Sequence, residues 1–137
     1  MSPSSAAEQV LAAILSCAED AIVGIGLDGS VQLWSRGAEQ LYGYTAAEVR
    51  GHSLTHLVPL YEVPVFGEML ETARRGTLRE RENVERLHKG GARLSVTVKR
   101  APLRNERGEL IGVLETGRRV CSTAKEMAAD TQLRLLV

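Results

Sequence analysis

Few side chains in this chain have the type and spacing to do chemistry. Gly24-Ile25-Gly26-Leu27-Asp28-Gly29 matches the glycine spacing of a dinucleotide-binding loop. In such a loop the glycines join a strand to a helix whose N-terminal amides meet a pyrophosphate. Here Asp28-Gly29 is a hairpin turn signal and Val31 to Trp34 reads as a second strand, so the context fails. His52 and His56 stand at i and i+4, the spacing of two metal ligands on one helix. No third ligand stands at a matching offset, and Glu62, the nearest acid, lies beyond Pro59, so no metal site is assigned. Glu80 and Glu82 would share one face of a strand, which is read as solvated. Cys17 and Cys121 are far apart and form no CxxC pair, so they are read as small residues rather than a redox couple. Ser, His and Asp occur without a nucleophile elbow or a comparable local signature. No catalytic residue is assigned and no enzymatic activity is expected.

The elements that must position these residues follow from periodicity and caps. Ser5 and Glu8 form a capping-box pattern, and Val10, Leu11, Ile14 and Leu15 follow at helical spacing, predicting a helix over about 6–17. Ala21, Val23, Ile25 and Leu27 alternate along a strand that turns at Asp28-Gly29 into a return strand over about 30–35. Ser35 is placed as the cap of a helix holding Ala38, Leu41 and Tyr42 and ended by Gly43. Thr45 and Glu48 form a second capping box, and another turn is read over Ser53–Val58. Pro59 and Pro64 bracket the start of a longer helix, about 61–75, whose buried face carries Val65, Phe66, Met69, Leu70 and Ala73. Three strands then follow, over about 78–88, 92–99 and 110–116, with Ala92, Leu94, Val96 and Val98 on one buried face. Thr123 to Glu126 could cap a closing helix with Met127, Leu133 and Leu136. Strands and helices are segregated, which means an α+β fold with an antiparallel sheet and helices across one face.

Composition limits the function classes. The chain has 137 residues, the size of one domain. Seventeen basic residues balance seventeen acidic ones, and the arginines from Arg74 to Arg81 are interleaved with Glu71, Glu80, Glu82 and Glu85. That is a solvated mixed-charge surface, without the basic face that nucleic-acid binding needs. No membrane span or secretory signal is read, and cysteine usage fits a reduced, cytoplasmic setting.

Taken together and in order, these signals resemble a PAS domain. The matching residues are Asp28-Gly29-Ser30, Trp34-Ser35-Arg36-Gly37-Ala38-Glu39, Leu41-Tyr42-Gly43-Tyr44, Glu48-Val49-Arg50-Gly51, Lys89-Gly90-Gly91, Ala101-Pro102-Leu103 and Gly108-Glu109-Leu110-Ile111-Gly112. The resemblance implies a five-stranded antiparallel sheet with helices across one face. It divides the chain into an N-terminal flanking helix (1–18), the PAS domain (19–120) and a C-terminal linker or start of an output helix (121–137). Many members end the last strand in Asp-Ile-Thr, which couples the domain to its output, whereas Arg119, Val120 and Cys121 stand at that place here.

What the resemblance implies for function is a non-enzymatic sensory and interaction module of a larger cytoplasmic histidine kinase or cyclic-dinucleotide signalling protein. Such a module acts as a homodimer with its output domain in the same parent protein. The alternative is a small-molecule or flavin-binding sensor. Haem is disfavoured because the long helix has no His to serve as axial ligand. A covalent flavin adduct is disfavoured because Gly51 to Leu57 contains no Cys. A ligand pocket would be lined by Leu41, Leu54, Leu57, Phe66, Met69, Leu70, Val96, Val98 and Leu114, although the same residues read first as packed core. Val10, Leu11, Ile14 and Leu15 are the dimer and transmission candidates. Their stripe would meet either a twin helix or an outer sheet surface holding Ala21, Ile111 and Val113.

Overall fold

The computed structural model describes residues 3–120. The predicted closing helix, the linker 121–137 and Cys121 lie outside the described residues. The elements are α1 (Pro3–Cys17), β1 (Ala21–Gly26), β2 (Val31–Trp34), α2 (Arg36–Tyr42), α3 (Ala46–Val49), α4 (Val63–Arg74), β3 (Arg81–Leu87), β4 (Arg93–Arg104) and β5 (Leu110–Arg119). Single 3-10 turns at Leu54–Leu57 and Leu60–Glu62 lead into α4. The helix α1 starts at Pro3, so Ser5 lies inside it and is not its cap.

Local chemistry sets most boundaries. The Ser35 hydroxyl accepts from Ala38 N and caps α2, which ends where Gly43 takes φ 82°, a left-handed conformation that glycine adopts without steric cost. Thr45 and Glu48 form the full capping box of α3, each side chain accepting from the other residue's backbone N–H. Pro64 sits in the first turn of α4, where a missing N–H leaves no helical hydrogen bond unmade. The Asp28 carboxylate accepts from the Ser30 N–H and hydroxyl and holds the β1–β2 turn.

The five strands run in the order β2-β1-β5-β4-β3, and every neighbouring pair is antiparallel. Thus β3–β4–β5 is a meander, and the β1–β2 hairpin joins it through β1. The helices and turns between β2 and β3 cross the inner face. Their core side chains Leu54, Leu57, Phe66, Met69 and Leu70 meet Val23, Ile25, Val96, Val98 and Val113 in one cluster. The outer edge of β2 is tied to the following turn: Val31 N donates to His52 O and Gly51 N to Val31 O, both at 2.8 Å.

Register fixes the faces and corrects three assignments. Ile25 pairs with Val113, Val23 with Glu115 and Ala21 with Gly117, while Gly24 pairs with Leu114. Ala21 and Val113, expected on the outer surface, are therefore buried on the inner face. Leu114, expected in the pocket, sits half-buried on the opposite face. Of the three outer candidates only Ile111 is exposed. Apolar residues fill both parities of Leu110 to Leu114, so hydrophobicity alone does not fix which parity faces in.

Candidate functional site

The inner sheet face and the elements covering it are where the candidate pocket was expected. Leu54, Leu57, Phe66, Met69, Leu70, Val96 and Val98 are all buried there, and Leu41 is partly buried against them. They form a contiguous packed core, as apolar faces of helices and strands generally do. The Trp34 and Tyr42 rings pack tilted at 39° with centroids 5.4 Å apart, and the Trp34 indole N–H donates to Tyr44 O at 2.9 Å.

Inside this core lies a charge cluster that the sequence reading missed. Arg86 Nη2 donates to both oxygens of Glu115 at 3.2 Å. Arg100 Nε donates to Glu115 Oε2 at 3.1 Å, and Arg100 Nη1 donates to Glu82. The side chains of Arg86, Arg100 and Glu115 are each 3% exposed or less, whereas Glu82 is 28% exposed. Burial works against ionising Glu115, but Arg86 and Arg100 together outweigh it and hold its carboxyl below the usual range. Burial, reinforced by Glu115, pushes the Tyr42 phenol well above its ordinary value. Strand alternation carries the signal for the cluster. Arg86 continues the inward parity of Val84, Arg100 that of Val96 and Val98, and Glu115 that of Val113. Charged residue types masked it, because such residues are rarely buried unless paired.

Open space lies around the core. A cavity of about 220 Å³ is lined by Val31, Tyr44, Glu48, Val49, His52, Ser53, His56 and Leu57. Its two histidine rings stand edge-on at 6.4 Å, and among the described residues no three His, Cys, Asp or Glu side chains group to hold a metal. Lys89 and the Thr45 backbone hold the nearby Glu48 carboxyl down at about 2. A second cavity, of about 380 Å³, opens between α4 and β3 against Arg100.

Of the transmission candidates, Val10, Leu11 and Ile14 are 60%, 38% and 52% exposed, and only Leu15 is partly covered. Among the described residues no helix is long and apolar enough to cross a membrane. The glycines of the GxGxxG pattern lie on β1 and its turn, with β2 next.

A family model described as the PAS fold matches residues 15–125. None of the curated proteins matches the chain. Among solved structures, the PAS domain of a protein from Colwellia psychrerythraea is similar at TM-score 0.74 and 23% identity, over 83% of this chain and 97% of that one. The PAS domain of a quorum-sensing receptor from Cronobacter turicensis, in complex with C12:0, is similar at TM-score 0.65 and 17% identity, over 77% and 98% of the two chains. The LOV domain of a blue-light activated histidine kinase from Erythrobacter litoralis gives TM-score 0.62 and 16% identity, over 74% and 95%. At these identities the likeness is one of fold.

Proposed function

The chain belongs to the PAS fold family, and from that membership we propose that it is a non-enzymatic sensory and protein-interaction module that relays the state of a ligand or partner through its flanking helices. The observation that carries this reading is the uncovered apolar stripe of α1, with Val10, Leu11 and Ile14 exposed beside a well-packed sheet domain. Water-exposed apolar side chains at helical spacing gain stability by meeting a partner surface. The partner proposed is α1 of a second copy, making a homodimer in which a shift of α1 in one copy is felt by the other.

The output is proposed to lie in the same parent protein, a cytoplasmic histidine kinase or cyclic-dinucleotide enzyme. The LOV domain of the Erythrobacter litoralis histidine kinase, which has a similar fold, supports the kinase choice. Light scattering coupled to size exclusion tests the dimer. The wild-type chain should run as a dimer and a Val10→Asp/Ile14→Asp variant as a monomer; an unchanged dimer in the variant would sink the helix-mediated reading.

A second reading, a small-molecule or flavin-binding sensor, is supported by the cavity that reaches Arg100 and by the C12:0 complex of a similar fold. Residue types still argue against haem and a covalent flavin, since α4 has no His and Gly51 to Leu57 no Cys.

A further inference from the structure

The cavity between α4 and β3 has one deeply buried cation, Arg100, on its wall. Val65, Glu68, Met69 and Thr72 of α4 form one side, Thr77 and Arg79 the connecting segment, and Glu82 and Arg100 the sheet side. Its volume of about 380 Å³ falls within the roughly 300–1,000 Å³ of small-molecule sites. Val65 and Met69 supply an apolar wall, and Val65 is 42% exposed. The threonine hydroxyls are already engaged, Thr72 Oγ1 donating to Met69 O and Thr77 Oγ1 to Thr72 O. Glu68 and Arg79 are exposed and opposite in charge, so at the mouth they offset one another.

The deep group that remains is Arg100. It directs Nε to Glu115 and Nη1 to Glu82, and Nη2 has no partner among the described residues. Arg86, which shares Glu115 with it but does not line the cavity, has a buried Nε without a partner among the described residues. The cluster therefore holds N–H donors that its own two carboxylates do not satisfy, and a guanidinium fork matches a carboxylate in geometry. Glu82 is the one member able to leave, because it is partly exposed and among the described residues its side chain bonds only to Arg100.

We propose that this cavity binds a small organic carboxylate with an apolar body. The carboxylate meets Arg100 in place of Glu82, which swings to solvent, and the body lies on Val65 and Met69. This rests on the sensor reading and names its site and ligand class. It is independent of the dimer, since oligomeric state and binding are read separately.

Isothermal titration of the 137-residue chain with sodium octanoate, and with octanol as the uncharged counterpart, is the test. Octanoate should bind and octanol should bind at least about tenfold more weakly, the discrimination expected when a charged hydrogen bond is lost. Glu82→Gln removes the internal competitor's charge and should tighten octanoate binding, while Val65→Trp fills the cavity mouth and should weaken it at least tenfold. Thermal unfolding verifies that each variant is folded. If Val65→Trp fails to fold, the acid–alcohol comparison and Glu82→Gln still decide. No octanoate binding at millimolar concentration, equal binding of octanol, or no tightening in Glu82→Gln would each overturn the proposal.

Discussion

Ser35 shows how one small side chain can hold a junction. Its hydroxyl accepts from Ile22 N at 2.8 Å and Ala38 N at 3.1 Å and donates to Asp20 O at 3.0 Å, so it joins the start of β1 to the first turn of α2. Ser35→Ala removes an N-cap, worth about 1 kcal/mol, and leaves the Ile22 amide without its acceptor, worth about 1–3 kcal/mol more. A loss of roughly 2–4 kcal/mol in urea unfolding is therefore expected, and a loss below about 0.5 kcal/mol would mean that water replaces the hydroxyl. The capping role of Ser35 was legible in the sequence, because Ser before an apolar-periodic segment ended by Gly is a local pattern. Its bond to Ile22 was not, because that contact spans 13 residues and depends on how the hairpin meets the helix. The same distinction explains Arg86, Arg100 and Glu115. Each lies on an inward parity that alternation predicts, but their partnership exists only once β3, β4 and β5 are in register.

At the scale of elements, close approach rather than propensity decides how α2 docks. Gly37 N donates to Ala18 O at 2.9 Å, and a Cβ at Gly37 would stand 2.2 Å from Glu19 O and 2.3 Å from Asp20 O. Alanine would favour the helix by about 0.8–1.0 kcal/mol over glycine. The clash is with backbone, which cannot rotate away, and overpacking of this kind costs about 1–3 kcal/mol or more. Contacts this short put the cost at the upper end, about 3 kcal/mol, so Gly37→Ala is expected to lower stability by about 2 kcal/mol net, measured by thermal or urea unfolding; a stabilised variant would show that helix propensity prevails. Element type and order were readable because caps, turns and periodicity agree along the chain. Element ends were less so. The strand β4 runs on to Arg104, past the predicted 99, because its outer half pairs with β5 through Pro102 and Leu103. The predicted Ser5 cap lies inside α1, which is already helical at Pro3, three residues before the predicted start at about 6.

For the whole molecule, the Arg86–Glu115–Arg100–Glu82 cluster ties three adjacent strands together through charges set within an otherwise apolar core. A buried ion pair gains little over a well-packed apolar equivalent, but removing one partner strands the other charge and costs about 3–5 kcal/mol. Glu115→Gln should therefore destabilise the fold by an amount of that order at neutral pH. The Glu115 carboxyl is held below its ordinary value of 4.5. Its contribution is thus fully present above that value and is lost as pH falls through the lower folded-state value. As Glu115 protonates, the wild type comes to resemble the Gln variant, and the stability gap between them should narrow. Glu48, held at about 2 by Lys89 and Thr45, titrates in both chains and cancels from the difference. Urea midpoints of wild type and Glu115→Gln at pH 7, 5, 4 and 3 would measure this. A gap that closes below about pH 4.5 assigns the acid sensitivity to the cluster. A gap constant down to pH 3 would mean that the loss in Glu115→Gln comes from packing and not from charge.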